Sequence, residues 1–172
     1  MAPQQSLTRG DRVRQLGRAL IVTPGTLMQK PIPLRLVEPY LTGRRSVIAG
    51  FVYRAQDSSF TDPADFYEVL DLGYDGSEFR ADMTEIYVLR WRAVEAESYL
   101  VPYSAEHGGD WAGKPPFIGT GYTSPAERGI PEFFIEQVPL PVGAEIYRIS
   151  QGRAEFIARF DGQVWLRPAE GI

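Results

Sequence analysis

The sequence predicts an α+β fold: a single β-rich domain whose two small, mostly antiparallel sheets form a cleft, with one or two short helices. Three observations predict it. The segments SVIAGFVYRA (46–55) and EIYVLRWRA (85–93) are apolar on both alternating faces, as internal strands are. Near the C-terminus, AEIYRI (144–149) and AEFIARF (154–160) flank Ser150-Gln151-Gly152, the pattern of a β-hairpin. Only DPADFYEVL (62–70) has the full signature of a helix.

Taken in order, residues 1–15 are polar and arginine-rich and read as a flexible arm ahead of a globular domain over 16–172. GRALIVT (17–23) reads as a short strand stopped by Pro24-Gly25. The three prolines between Pro31 and Tyr40 argue against a long helix and for an extended stretch or a single turn. Asp62 suits an N-cap, Pro63 the first turn, and Phe66, Tyr67 and Leu70 a buried stripe, with Gly73 as the stop. ESYLVPY (97–103) reads as a further strand, followed by a polar loop over 104–116 that carries His107 and Trp111. The run from Pro115 to Arg148 is dense in Gly, Pro, aromatics and paired acids. Its later part, from Ile130, reads as a strand, a proline turn and the next strand. Asp161-Gly162 favours a tight hairpin turn, and Val164-Trp165-Leu166 closes the fold.

Composition narrows the chemistry. The chain of 172 residues can bury a core without staples. Its net charge of −4 argues against nucleic acid as a partner, since phosphate neutralisation needs a basic surface. No cysteine is present, which excludes disulfides and thiolate chemistry, and the single histidine excludes a multi-histidine metal site. No signal-peptide pattern or apolar span is present, so the reading is a protein without a membrane partner, cytoplasmic or exported without a cleaved signal. Only Lys30 and Lys114 among the 18 basic residues are lysine.

Arg54 ends an apolar strand and needs a partner there: either Asp57 or another loop acid, or an anionic ligand. In Gly119-Thr120-Gly121-Tyr122-Thr123-Ser124-Pro125, two glycines allow close backbone approach, Tyr122 offers a stacking face, and Thr123 and Ser124 offer hydroxyls. The same segment also reads as a strand ending in a Ser-Pro turn. Three acids are candidates: Glu132 and Glu136, which a strand would set on one face, and Glu155, which either pairs with Arg148 or Arg159 or stabilises a developing cation. His107 is a loop histidine with no nucleophile-elbow motif beside it.

The order of these features resembles ADP-ribosyltransferase toxins of the arginine–serine–glutamate type. VYRAQD (52–57) is similar to their first motif, GYTSP (121–125) to a degenerate second, and AEFIARF (154–160) to the strand that carries the acid. GYTSPAERGIP followed by VPLPVG also resembles secreted NAD-glycohydrolase toxins, with Arg128 at the arginine of that pattern. The Ser-Thr-Ser triplet of these families is not intact, no Glu-x-Glu or Gln-x-Glu pair leads into the strand at Glu155, and the closing glycine-rich segment is absent. The resemblance implies an enzyme that consumes NAD, as transferase or glycohydrolase, by breaking the nicotinamide–ribose bond. It implies Arg54, Ser124 and Glu155 as catalytic, and Arg54, Tyr122, Thr123 and Arg128 as NAD contacts. It also implies a protein target or a cognate immunity protein as partner. The alternative is a non-catalytic binding module, such as an immunity protein or an assembly subunit, contacting its partner through Phe133-Phe134 and the proline-rich stretch.

Overall fold

The computed structural model describes residues 21–109, 111, 118–125 and 128–169. The expected arm (1–15) and most of the strand expected at 17–23 lie outside the described residues, and Ile21 to Thr23 are not strand. The described residues form a β-rich α+β domain with seven strands: β1 (Leu27–Ile32), β2 (Val47–Arg54), β3 (Glu85–Arg92), β4 (Phe133–Pro139), β5 (Glu145–Ser150), β6 (Arg153–Phe160) and β7 (Trp165–Leu166). All pairings are antiparallel, in one sheet of order β4-β2-β1-β3-β5-β6-β7. The expectation of two small sheets around a cleft is therefore corrected to a single sheet.

The sheet comes nearest to dividing between β1 and β2. Six residue pairs join β1 to β3, whereas only Met28↔Arg54 and Gln29↔Tyr53 join β1 to β2. The reason lies in the sequence. Continued two residues further, the register would set Pro31 opposite Phe51, and proline has no N–H to donate. The Lys30 ammonium fills that role instead, donating to the Phe51 carbonyl at 2.8 Å. Beyond this point β2 follows β4, through an irregular pairing at Ile48/Gly50 where Gly50 adopts φ +89°. A proline inside a central strand is the feature that hid β1 from the sequence reading.

Two helices cover opposite faces. Helix α1 (Leu34–Leu41) places Val37 and Tyr40 against Met28, Ile32, Ile48, Leu89 and Trp91. It is longer than the single turn expected, because Pro33 sits just before its first residue and Pro39 falls near its end, where one lost backbone bond is tolerated. Helix α2 (Pro63–Val69) packs Phe66 on the other face, with Leu70, Tyr53, Ile86, Val88 and Ile149. Its cap is as the sequence requires: Asp62 Oδ1 accepts from the Ala64 N–H at 2.8 Å, and Pro63 opens the helix. The strand expected at 97–103 is reduced to isolated bridges, Leu100↔Phe134 and Tyr103↔Thr120.

Burial of the Lys30 amine, with the Arg45 charge nearby, lowers its pKa from 10.5 to about 8. Between those values the unfolded chain holds a proton that the folded chain has lost, so folding stability rises with pH across this window. Relative to Lys30→Met, the wild type should gain roughly 3 kcal/mol from pH 8 to 10.5 in denaturant titrations. A flat difference between the two proteins across that range would contradict the placement of the amine.

Candidate functional site

Of the sequence candidates, Arg54, Tyr122 and Ser124 lie toward the corner of the sheet at the C-terminal end of β2. Arg54 leads into a single 3₁₀ turn, Ala55–Asp57, and its Nε donates to Asp57 Oδ2 at 2.6 Å with both side chains more than four-fifths buried. The local acid anticipated from the sequence is thus the partner of Arg54. The turn is fixed from beneath. Ser58 Oγ donates to the Arg54 carbonyl at 3.0 Å, and Gln29 Nε2 to the Ser58 carbonyl at 2.7 Å. Arg90 on β3 donates in turn to Gln29 Oε1 while its guanidinium lies 4.7 Å over the Tyr147 ring. Gln29 and Ser58 are fully buried, so this network is closed to water on both members.

Tyr122 reaches the same corner from a short ribbon. Residues 121–123 pair with 130–132 through Tyr122↔Pro131, Glu132 N–H to the Gly121 carbonyl (3.0 Å) and Thr123 N–H to the Ile130 carbonyl (2.9 Å). Burial raises the Tyr122 pKa, the Arg54 guanidinium lowers it and the Asp57 carboxylate raises it, which sets the phenol within electrostatic reach of both. Arg54 and Asp57 therefore form a largely buried cation–carboxylate pair whose charges the half-buried Tyr122 phenol feels. Ser124 follows on the same ribbon, half-buried.

The other candidates have structural partners. Thr123 is buried and its Oγ1 accepts from the Ile130 N–H at 2.9 Å, closing the ribbon. Gly119 and Gly121 have φ of +79° and +77°, and a Cβ on them would lie 2.4 Å from Ser104 and 2.7 Å from Val101. Their backbone approaches the 101–104 segment of this chain. Arg128 binds α2, through Asp65 at 2.9 Å and Glu68 at 3.3 Å. Glu155 lies on β6, four strands from β2, or about 19 Å at the usual strand spacing. It is exposed and pairs with Arg148, whose Nε donates to Oε2 at 2.9 Å. His107 is buried in a 3₁₀ turn, 3.2 Å from Ser104 Oγ.

Glu132 is the acid that the structure singles out. Glu136 is exposed, but Glu132 is 1% exposed and its Oε1 has no hydrogen-bond partner among the described residues. Burial, and then the charge of Asp71, push its pKa up to about 8. Extending the β2–β4 register sets it opposite Tyr53, on the α2 face, whereas Arg54 belongs to the other face. The sequence signal was its place in IPEFFIE, at the mouth of an apolar strand, but periodicity grouped it with Glu136. Among the described residues no group of three or more metal ligands occurs, and no helix is long and apolar enough to cross a membrane.

Comparison with protein-family models, curated proteins and solved structures finds no match to this chain.

Between pH 4.5 and 8 the folded chain holds a proton on Glu132 that the unfolded chain has lost, so this residue makes folding less favourable as pH rises. Glu132→Gln should remove that slope, leaving the variant more stable than wild type at pH 8 by about 4 kcal/mol at most. Equal stabilities at pH 5 and pH 8 in both proteins would show that the carboxyl ionises freely. Separately, Gly121→Ala should destabilise by about 2 kcal/mol or more, combining a strained φ with a clash at Val101. Thermal melts that leave Gly121→Ala unchanged would mean that the ribbon does not pack as described.

Proposed function

We propose that this chain is an NAD-consuming enzyme, a glycohydrolase or ADP-ribosyltransferase, working at the corner formed by Arg54, Asp57 and Tyr122. The observation that carries the reading is the largely buried Arg54–Asp57 pair within electrostatic reach of the Tyr122 phenol. Among the described residues Arg54 uses only Nε on Asp57, and its terminal nitrogens have one long contact, 3.4 Å to the Ile21 carbonyl. That leaves a fork suited to the pyrophosphate. The Tyr122 ring supplies the face on which nicotinamide stacks, and the Ser124 hydroxyl lies next along the ribbon.

In this scheme the N-glycosidic bond breaks with its electron pair going to the nicotinamide nitrogen. The cation left on the ribose is stabilised by the Asp57 carboxylate in a site shielded from water. Water, or a side chain of a target protein, then attacks the anomeric carbon. Asp57 takes the place that the family resemblance implied for Glu155, because Asp57 shares the corner with Arg54 and Tyr122.

One feature favours the rival reading of a non-catalytic binding module. A groove of about 200 Å³ beside β4 is lined by Val94, Tyr99, Val138 and Leu140, and Leu100 next to it is half exposed. That reading requires a stable complex with a protein partner, lost on Leu100→Glu, and no NAD turnover.

Purified protein with millimolar NAD should release nicotinamide, measured by chromatography, and Asp57→Asn should reduce the rate by about 100-fold or more while the protein stays folded. If nicotinamide release is abolished by Glu155→Gln and spared by Asp57→Asn, the corner is not the active site. If the wild type releases none, the enzymatic reading is wrong.

A further inference from the structure

We propose that the cavity between the 78–84 loop and the ends of β1 and β3 binds a free aromatic α-amino acid, with its carboxylate on Arg80 and its ammonium on Asp82. Three observations carry it. First, there is room. The cavity measures about 350 Å³, within the range of small-molecule sites, and its apolar lining includes Ile32, Phe79, Met83 and Tyr87. The last three are only half-buried, so two aromatic rings and a thioether stay open to a ligand. Second, the loop that forms one wall is anchored. Arg35 on α1 pairs with Glu78, and Phe79 and Met83 also pack against the apolar cluster around α2. The Met83 N–H donates to the Arg80 carbonyl at 3.3 Å, which places Arg80 and Asp82 in one turn. Third, the charges lining the cavity differ in their partners. Glu78 has Arg35, and Glu85 lies 3.7 Å from Arg148. Arg80 and Asp82 line the same cavity, yet among the described residues neither forms an ion pair, with the other or with a third group.

This combination selects the ligand. An inorganic anion would meet Arg80 together with the carboxylates of Glu78, Asp82 and Glu85, and a simple cation would meet Asp82 together with an unpaired guanidinium. A molecule carrying one charge of each sign satisfies both free groups. A carboxylate matches the guanidinium fork in two places, and an ammonium donates to Asp82. An α-amino acid holds those two groups on a single carbon. Its aromatic ring suits the remaining lining, because rings stack offset or edge-to-face with Phe79 and Tyr87 and attract the Met83 sulfur. The site is separate from the Arg54 corner. Ile32 lies four residues along β1 from Met28, the partner of Arg54, or about 13 Å at the usual rise.

The full chain is titrated with L-phenylalanine, with phenethylamine, which lacks the carboxylate, and with 3-phenylpropionate, which lacks the ammonium, each followed by NMR. L-Phenylalanine should bind about tenfold tighter than either analogue. Arg80→Gln should abolish its advantage over phenethylamine and keep that over 3-phenylpropionate, and Asp82→Asn should do the reverse. Both side chains are exposed, and circular dichroism checks that each variant stays folded. No binding of L-phenylalanine at millimolar concentration would overturn the proposal. So would affinities that follow the aromatic ring alone, with both variants and both analogues equal to the wild type and the amino acid.

Discussion

The donor missing at Pro31 shapes the sheet. A central strand must satisfy neighbours on both sides, and β1 carries a residue that cannot donate to β2 at the point where Phe51 needs it. Lys30 supplies the bond through its side chain, and β2 separates from β1 on one side of that contact. On the other side, Met28↔Arg54 and Gln29↔Tyr53 remain paired, so the end of β2 that carries Arg54 is held while the end at Val47 follows β4. The Gln29–Ser58–Arg90 network reinforces the held end. A local backbone defect thus leaves one corner of the sheet polar and tied by hydrogen bonds.

That corner differs from the rest of the surface in how its charges are placed. Arg148–Glu155, Arg44–Glu38 and Arg128 with Asp65 and Glu68 are exposed pairs of the kind that contribute little to stability or chemistry. Arg54–Asp57 is largely buried, and its charges act on the Tyr122 phenol, where water screens a developing charge less than at the surface. Glu132 is buried more deeply still, but on the opposite face, among Tyr53, Asp71 and the residues that pack on α2. It therefore bears on stability and its pH dependence, separately from the chemistry proposed at Arg54.

How much of this was legible in the sequence follows from how local each signal is. The cap at Asp62, the turn at Asp161-Gly162 and the two-faced apolar strands rest on neighbouring residues, and each stands in the structure. Strand β1 was missed because a proline inside it normally argues against a central strand, and the compensating lysine acts across the sheet to Phe51. The single sheet was missed because strand order joins segments far apart in sequence. Asp57 was visible as the partner of Arg54. The reach of Tyr122 to that pair, the distance of Glu155 from it and the burial of Glu132 depend on registers that composition and spacing do not encode.

The central claim is that the Arg54–Asp57–Tyr122 corner binds the nucleotide. An NMR titration of the isotopically labelled full chain with NAD tests it most directly. The account predicts the largest shift changes at residues 54–58 and 120–124, with the β5–β6 hairpin around Arg148 and Glu155 unmoved. Shifts centred on that hairpin, or none at millimolar NAD, would contradict it.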